Sequence, residues 1–506
     1  MRKINIIPDC ILLIFVLMTI SCKKDFLDKN PLDQISSGTF WKTEDDVKMA
    51  LTGCYSRLQS NFLGFDRVFL EAYSDNAYEQ FTWWFDFADF QLGNINPSTS
   101  TLHKFYDNPY SGIASCNFFL ENVDKTPISD DAKNEYKAEV KFLRALFYFD
   151  LVNYFGPVII YKETPANVDA AKIKQSSIAD ALAFIYEDLD NAIANLPDTR
   201  YESNAVKGSA MALKVRVLLY DKKWQEAADL ANQIITGGVF QLSTDYKGLF
   251  LTTTQQDNSE IMFSTRYSSP NNYQGDYLGY DIQLGWQAWI GATQDLIDDY
   301  ECIDGKPISL SSLYDPANPY KNRDPRLDMT IRLPGEIWLD PSGVNFPTDP
   351  NPTGYSFEKY VDLSRLPFSY SKANLTDQAM IHIRYADVLL MYAEAKNEVS
   401  GPDAGVYQAI NEVRGRQGIN MPPVDETIYN TQATLRDYIR HERRVEFALE
   451  GERFFDIRRW HIADTKFPTL KNPAGVPLKF DEKNYLLPFP QSEIDIDPEL
   501  DQNPGY

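Results

Sequence analysis

Residues 205–236 read AVKGSAMALKVRVLLYDKKWQEAADLANQIIT, and the spacing of small and apolar side chains in this stretch decides the fold class. Ala210, Leu213, Val217 and Tyr220 recur every three or four residues on one arm; Trp224, Ala227, Ala231 and Ile235 do so on the other. Apolar positions at that period fall on one face of an α-helix. Two such arms closed by Gly237-Gly238 predict a helix hairpin. Its length and small-residue spacing match a tetratricopeptide unit of about 34 residues.

The same rhythm recurs outward in both directions. Arg384, Tyr385, Ala386, Leu389, Tyr392, Ala393 and Ala395, then Gly401-Pro402, then Ala409, Ile410 and Val413 predict a second pair over 384–416. Between 131 and 155, Val140, Leu143, Phe147, Leu151 and Tyr154 line one helical face and Phe142, Leu146 and Phe149 another, before Gly156-Pro157 stops the run. A helix apolar on two faces belongs in the core. Ile178, Leu182, Ile185, Leu189 and Ala192 mark another, and Thr43 with Asp46 is a capping-box variant opening a helix through Val47, Leu51, Cys54 and Leu58. Because the pairs are separated in sequence, the fold class is mostly α, a tetratricopeptide-like scaffold broken by insertions rather than a continuous solenoid. The scaffold spans about 38–236 and 381–460, and loop-rich, aromatic segments span about 73–110 and 238–380, where Pro, Gly, Asn, Asp and Ser cluster. Loops on a rigid scaffold are where binding residues concentrate.

Composition removes several function classes. With 506 residues, 43% hydrophobic and 24% charged, the chain can bury a large core. Its formal net charge of -23 argues against a phosphate-backbone partner, so nucleic acid is set aside. The four histidines, His103, His382, His441 and His461, form no H-E-x-x-H pair, and neither a G-x-S-x-G elbow nor a G-x-G-x-x-G turn is present. No catalytic residue, metal ligand or cofactor is assigned. A glycosidase needs only two carboxylates a fixed distance apart, and 72 acidic residues leave that rival open. Asp495, Asp497, Glu499 and Asp501 lack the glycine and distal Glu of a calcium hand.

The amino-terminal residues carry an address. Arg2 and Lys3 precede the apolar run Ile11 to Ile20, which is too short to span a bilayer, and Ser21 precedes Cys22. Residues 1–21 therefore read as a secretory signal, leaving a single domain over 22–506. Thr19-Ile20-Ser21-Cys22 resembles a bacterial lipobox with Thr19 in the place usually held by Leu, which makes Cys22 the lipid anchor. Of the other cysteines, Cys54, Cys116 and Cys302 belong to the mature chain and form no C-x-x-C spacing; whether Cys54 and Cys116 pair is left open.

The two loop segments are rich in rings and amides. Sugar C–H faces stack on flat aromatic side chains while their hydroxyls need polar groups at the edges. The candidate ligand-binding residues are Asp75, Asn76, Trp83 and Trp84 in the first segment, with Glu79 and Gln80 nearby, and Tyr273, Tyr280, Trp286 and Trp289 in the second, with Asn272, Gln283 and Gln287 between them. Asp75 is the leading polar contact. About half of such rings are expected to be core, and the adjacent Trp83 and Trp84 cannot face the same way.

Several stretches, in order along the whole chain, resemble the SusD/RagB family of outer-membrane nutrient-binding lipoproteins. They are Ser37 to Leu58, Phe142-Leu143-Arg144-Ala145 through Gly156-Pro157, Asn322 to Leu327, Ile383 to Leu390 with Ala393-Glu394-Ala395, Glu442 to Phe447 through Gly451 to Asp456, Leu487 to Pro490, and Gln502 to Tyr506. The resemblance implies four tetratricopeptide-like helix pairs beside a variable loop-rich region, capture of an oligosaccharide at the outer membrane, and a SusC-type, TonB-dependent transporter as partner. It implies binding without catalysis; capture of a peptide and pure scaffolding are the other readings of the same fold. The run Glu442 to Arg459, with acids and bases three and four residues apart, reads as a structural ion-pair network.

Overall fold

Thr43 opens helix α1 (Glu44–Ser56). Its hydroxyl accepts from the Asp46 N–H while the Asp46 carboxylate accepts from the Thr43 N–H, which satisfies two donors that the helix leaves unpaired. Helices α2 (Leu102–Asn122) and α3 (Asp130–Phe155) pack closely at Gly112, where a Cβ would come within 2.5 Å of the Phe147 ring. Ser129 caps α3 by accepting from Ala132 N–H, Asp130 and Asp131 sit favourably in its positive first turn, and Gly156, at φ +76°, ends it. Both apolar faces of α3 are buried, as the sequence pattern requires.

The computed structural model describes residues 40–81, 85–255, 257–269, 272, 279–346, 348–373 and 376–506. Helix α4 (Ile178–Asn195) packs on α3, and α5 (Lys207–Tyr220) with α6 (Trp224–Gly237) forms the hairpin read from 205–236, ended by Gly238 in the left-handed region. The second pair is α7 (Tyr385–Ser400) and α8 (Ala404–Arg414). Helix α7 packs against α6, so units separated by some 150 residues of loop-rich chain meet in space. The fold is mostly helical, and no helix among the described residues is long and apolar enough to cross a membrane.

Two short antiparallel ribbons hold the loop-rich segments. Strand β1 (Ala77–Glu79) pairs with β3 (Ile290–Ala292), and β2 (Ile261–Thr265) pairs with β4 (Met380–Arg384) directly before α7. Helices α9 (Gln432–Glu446) and α10 (Arg453–Arg459) supply the charged centre. The Glu446 carboxylate accepts from Arg326 at 2.8 Å, Arg384 at 2.7 Å and Arg416 at 2.5 Å, and Glu442 accepts from Arg326 at 2.6 Å and Arg414 at 2.7 Å. Burial pushes the Glu446 carboxyl up, but the three guanidiniums outweigh it and hold the group well below the usual carboxylate range. The motif-bearing helix therefore ties distant loops together with charge-assisted bonds, the structural role its spacing predicts. Cys54, Cys116 and Cys302 are free, buried thiols, so Cys54 and Cys116 do not pair; the Cys54 thiol donates to the Ser115 carbonyl at 3.5 Å.

Candidate functional site

The β1–β3 ribbon joins the two aromatic segments. Ala77, Tyr78 and Glu79 face Ala292, Gly291 and Ile290, and the ladder continues as Gln80 N–H donates to Trp289 O at 3.0 Å. The Gln80 amide then donates to Ala288 O at 2.8 Å and to Gln287 O. Asn351 Nδ2 donates to Ala288 O at 3.0 Å from the other side, fixing a residue held at φ +46°. Both segments thus present a shared seam whose edge residues are Gln80, Phe81, Trp286 and Gln287, all half-buried.

Trp286 ends a π-helical turn, Asp281–Trp286, seated by Gly285, whose missing side chain leaves room for the Phe368 ring. The indole stands edge-to-face with Tyr370, ring centroids 5.4 Å apart at 82°, and Tyr370 is 45% exposed. Such pairing holds both rings in place, with Trp286 half-buried and packed against the core. Tyr370 is the exposed member of this pair. Tyr370 was not anticipated from the sequence; its only local signal is an aromatic residue between Ser369 and Ser371.

The other candidates fare differently. Asp75 is 0% exposed and faces inward. Its two oxygens accept from Arg453 Nε and Nη2, each at 2.8 Å, and Arg444 Nη2 lies 3.2 Å away. Burial pushes its carboxyl up, yet Arg444 and Arg453 hold it well below the usual range. Asp75 is a structural anchor, not a ligand contact. Asn76 is buried beside it, donating to Glu71 Oε1 at 2.6 Å and accepting from Arg444 Nε at 2.7 Å, which uses its amide internally. Tyr280 is also core: its ring stacks on Phe65 at 4.3 Å and its hydroxyl donates to Phe65 O at 2.7 Å. Trp289, 6% exposed, lies beneath the seam between Phe69 and Phe81, with Nε1 donating to Gln287 Oε1 at 2.7 Å. It supports the surface from below. Trp83, Trp84, Tyr273 and Cys22 fall outside the described residues.

Glu79 lies just under the same seam. Burial, with Asp86 adding to it, pushes its carboxyl up to about 8, and its Oε2 has no hydrogen-bond partner among the described residues. As for metals, the one group of three suitable side chains among the described residues is His103, Asp107 and Glu493, at the surface, and it includes none of Asp495, Asp497, Glu499 and Asp501.

The helix-pair scaffold thus brings its two loop-rich insertions together at an aromatic seam. A model described as the SusD family matches residues 249–506, and one described as "Starch-binding associating with outer membrane" matches residues 25–219. The chain belongs to the SusD family. It is 25% identical over 480 residues to SusD-like protein P38 of Formosa agariphila, covering 92% of this chain and 93% of that one. Among solved structures it is similar to a SusD-like carbohydrate binding protein from Bacteroides fragilis, at 28% identity and TM-score 0.79, covering 92% of this chain and 100% of the other. It is similar as well to a laminarin binding SusD-like protein, at 26% identity and TM-score 0.70, covering 92% and 100%.

Proposed function

We propose that this protein binds an oligosaccharide at the outer membrane, held there by lipid on Cys22, and passes it uncut to a SusC-type, TonB-dependent transporter. The observation that carries the reading is the Trp286–Tyr370 pair on the seam where the two insertions are joined. A sugar ring stacked on this pair would find Gln80 Oε1 and Gln287 Nε2 for its hydroxyls, since the Gln80 amide hydrogens go to Ala288 O and Gln287 O and Gln287 Oε1 accepts from Trp289. Membership of the SusD family, and relatives described as carbohydrate and laminarin binding, support the ligand class. The same relatives are described by what they bind, which supports capture over cleavage. A glycan array probed with the purified protein tests this: binding to a defined group of glycans, lost on Trp286→Ala, is expected. Array-wide silence together with saturable peptide binding at the same seam would replace the sugar reading.

A further inference from the structure

A groove of about 700 Å3 opens between α3, α4 and the carboxyl-terminal segment, walled by Phe149, Val152, Ile178, Leu182 and Leu486, with Arg458 in its lining. Arg458 is 6% exposed. Among the described residues its guanidinium meets no carboxylate: Nη2 donates to the carbonyls of Tyr154, at 3.5 Å, and Tyr485, its face lies over Phe454, and Nε has no partner. The other buried arginines of α9 and α10 are all compensated, Arg443 by Asp387 and Asp456, Arg444 by Asp75, Asp295 and Asp299, and Arg453 by Asp75. Even its neighbour Arg459 holds Glu394 and Asp456.

An uncompensated buried cation is strongly unfavourable, and burial accordingly pushes the Arg458 guanidinium down to about 10. The groove's own acids do not relieve it. Asp221 is taken by Lys223 at 3.0 Å and by the Tyr186 hydroxyl at 3.0 Å, and Glu482 sits exposed on the rim. A group that compensated Arg458 from the groove would be an anion, and the walls bear on what would carry it. They are mainly apolar, with Asn153, His461 and Lys483 among the polar members of the lining, and the Asn503 amide spends its hydrogens on Phe155 O and Leu487 O. Aliphatic side chains beside a carboxylate are features of a polypeptide.

We propose that this groove docks an extended segment of a partner polypeptide, with a side-chain or terminal carboxylate seated on Arg458 and aliphatic side chains against Val152, Ile178, Leu182 and Leu486. The groove shares no residue with the aromatic seam.

The test is fluorescence anisotropy of the purified protein with a labelled Leu-Val-Leu-Glu peptide bearing a free carboxyl terminus, beside its Gln-containing, amide-ended counterpart. Saturable binding of the acidic peptide is expected, with the neutral one at least about tenfold weaker, as loss of a charge-assisted bond implies. Arg458→Gln should weaken the acidic peptide similarly. Because Arg458 also braces the Tyr485 carbonyl and its loss could unfold the protein, Ile178→Glu is the second variant. Ile178 is 41% exposed on the wall, so a carboxylate there repels the peptide without a buried cost. Trp286→Ala should leave peptide binding unchanged, which separates this groove from the glycan reading. Equal affinity for the two peptides, no saturable binding of the acidic one, indifference to Ile178→Glu, or binding of tetragalacturonate in its place would each overturn the proposal.

Discussion

Replacing Asp75 by Asn separates an anchor from a ligand contact. In the folded protein Asp75 is the sole carboxylate that Arg453 meets among the described residues, whereas Arg444 keeps Asp295 at 2.7 Å and Asp299 at 2.8 Å. The substitution therefore strands one buried guanidinium, and breaking a buried pair costs roughly 3–5 kcal/mol. At about 2.1 cal/mol/K per residue, a chain of 506 residues unfolds with an entropy on the order of 1 kcal/mol/K, so Tm should fall by about 3–5 °C at pH 7. The pH dependence carries its own signature. Arg444 and Arg453 hold the folded carboxyl below its ordinary value, so its contribution is present above the unfolded pKa, about 3.9, and is lost as pH falls through the folded one. The Tm gap should thus be constant from pH 8 to about 5 and close only in stronger acid. Scanning calorimetry across that range, with glycan affinity measured on the folded variant, is the assay. An unchanged Tm combined with lost glycan binding would refute the anchor reading and return Asp75 to the ligand.

Four further outcomes are expected. Trp286→Ala should lower glycan affinity about tenfold to a hundredfold, from stacking worth roughly 1–3 kcal/mol, with little change in Tm. Trp289→Ala should instead lower stability by roughly 3–5 kcal/mol because the ring is enclosed; equal Tm values for the two variants would undo the distinction. For Glu79, raised to about 8 when folded, the contribution to stability is full below the unfolded pKa, about 4.3, and is lost as pH rises through 8. Glu79→Gln should therefore match the parent at pH 4 and melt higher at pH 9, and parallel pH curves would contradict this. Cys22→Ala should abolish labelling by radioactive palmitate and release the protein from the membrane fraction; a variant that stays membrane-bound at mature size would disprove the anchor.

The scaffold was readable because helices announce themselves locally. The Thr43–Asp46 capping box, the Gly156-Pro157 stop and the arms of the 205–236 hairpin all depend on residues a few positions apart. The seam was readable only as a region. Its making depends on Ala77 finding Ala292, and Asp75 owes its burial to arginines 369 and 378 residues away, neither of which leaves a trace in local periodicity. Tyr280 is core because its partner Phe65 lies 215 residues earlier, so ring content alone could not sort it from Trp286. An acid flanked by Ser74 and Asn76 reads as a polar loop until the guanidiniums that neutralise it are placed.

The central claim is that the seam binds glycan and leaves it intact. Isothermal calorimetry with a glycan selected on the array, followed by a day's incubation and a reducing-end assay on the same sample, measures both halves together. The account predicts saturable binding that Trp286→Ala weakens about tenfold to a hundredfold, with no new reducing ends. Reducing ends that accumulate and are abolished by one Asp or Glu substitution would show a glycosidase and contradict it.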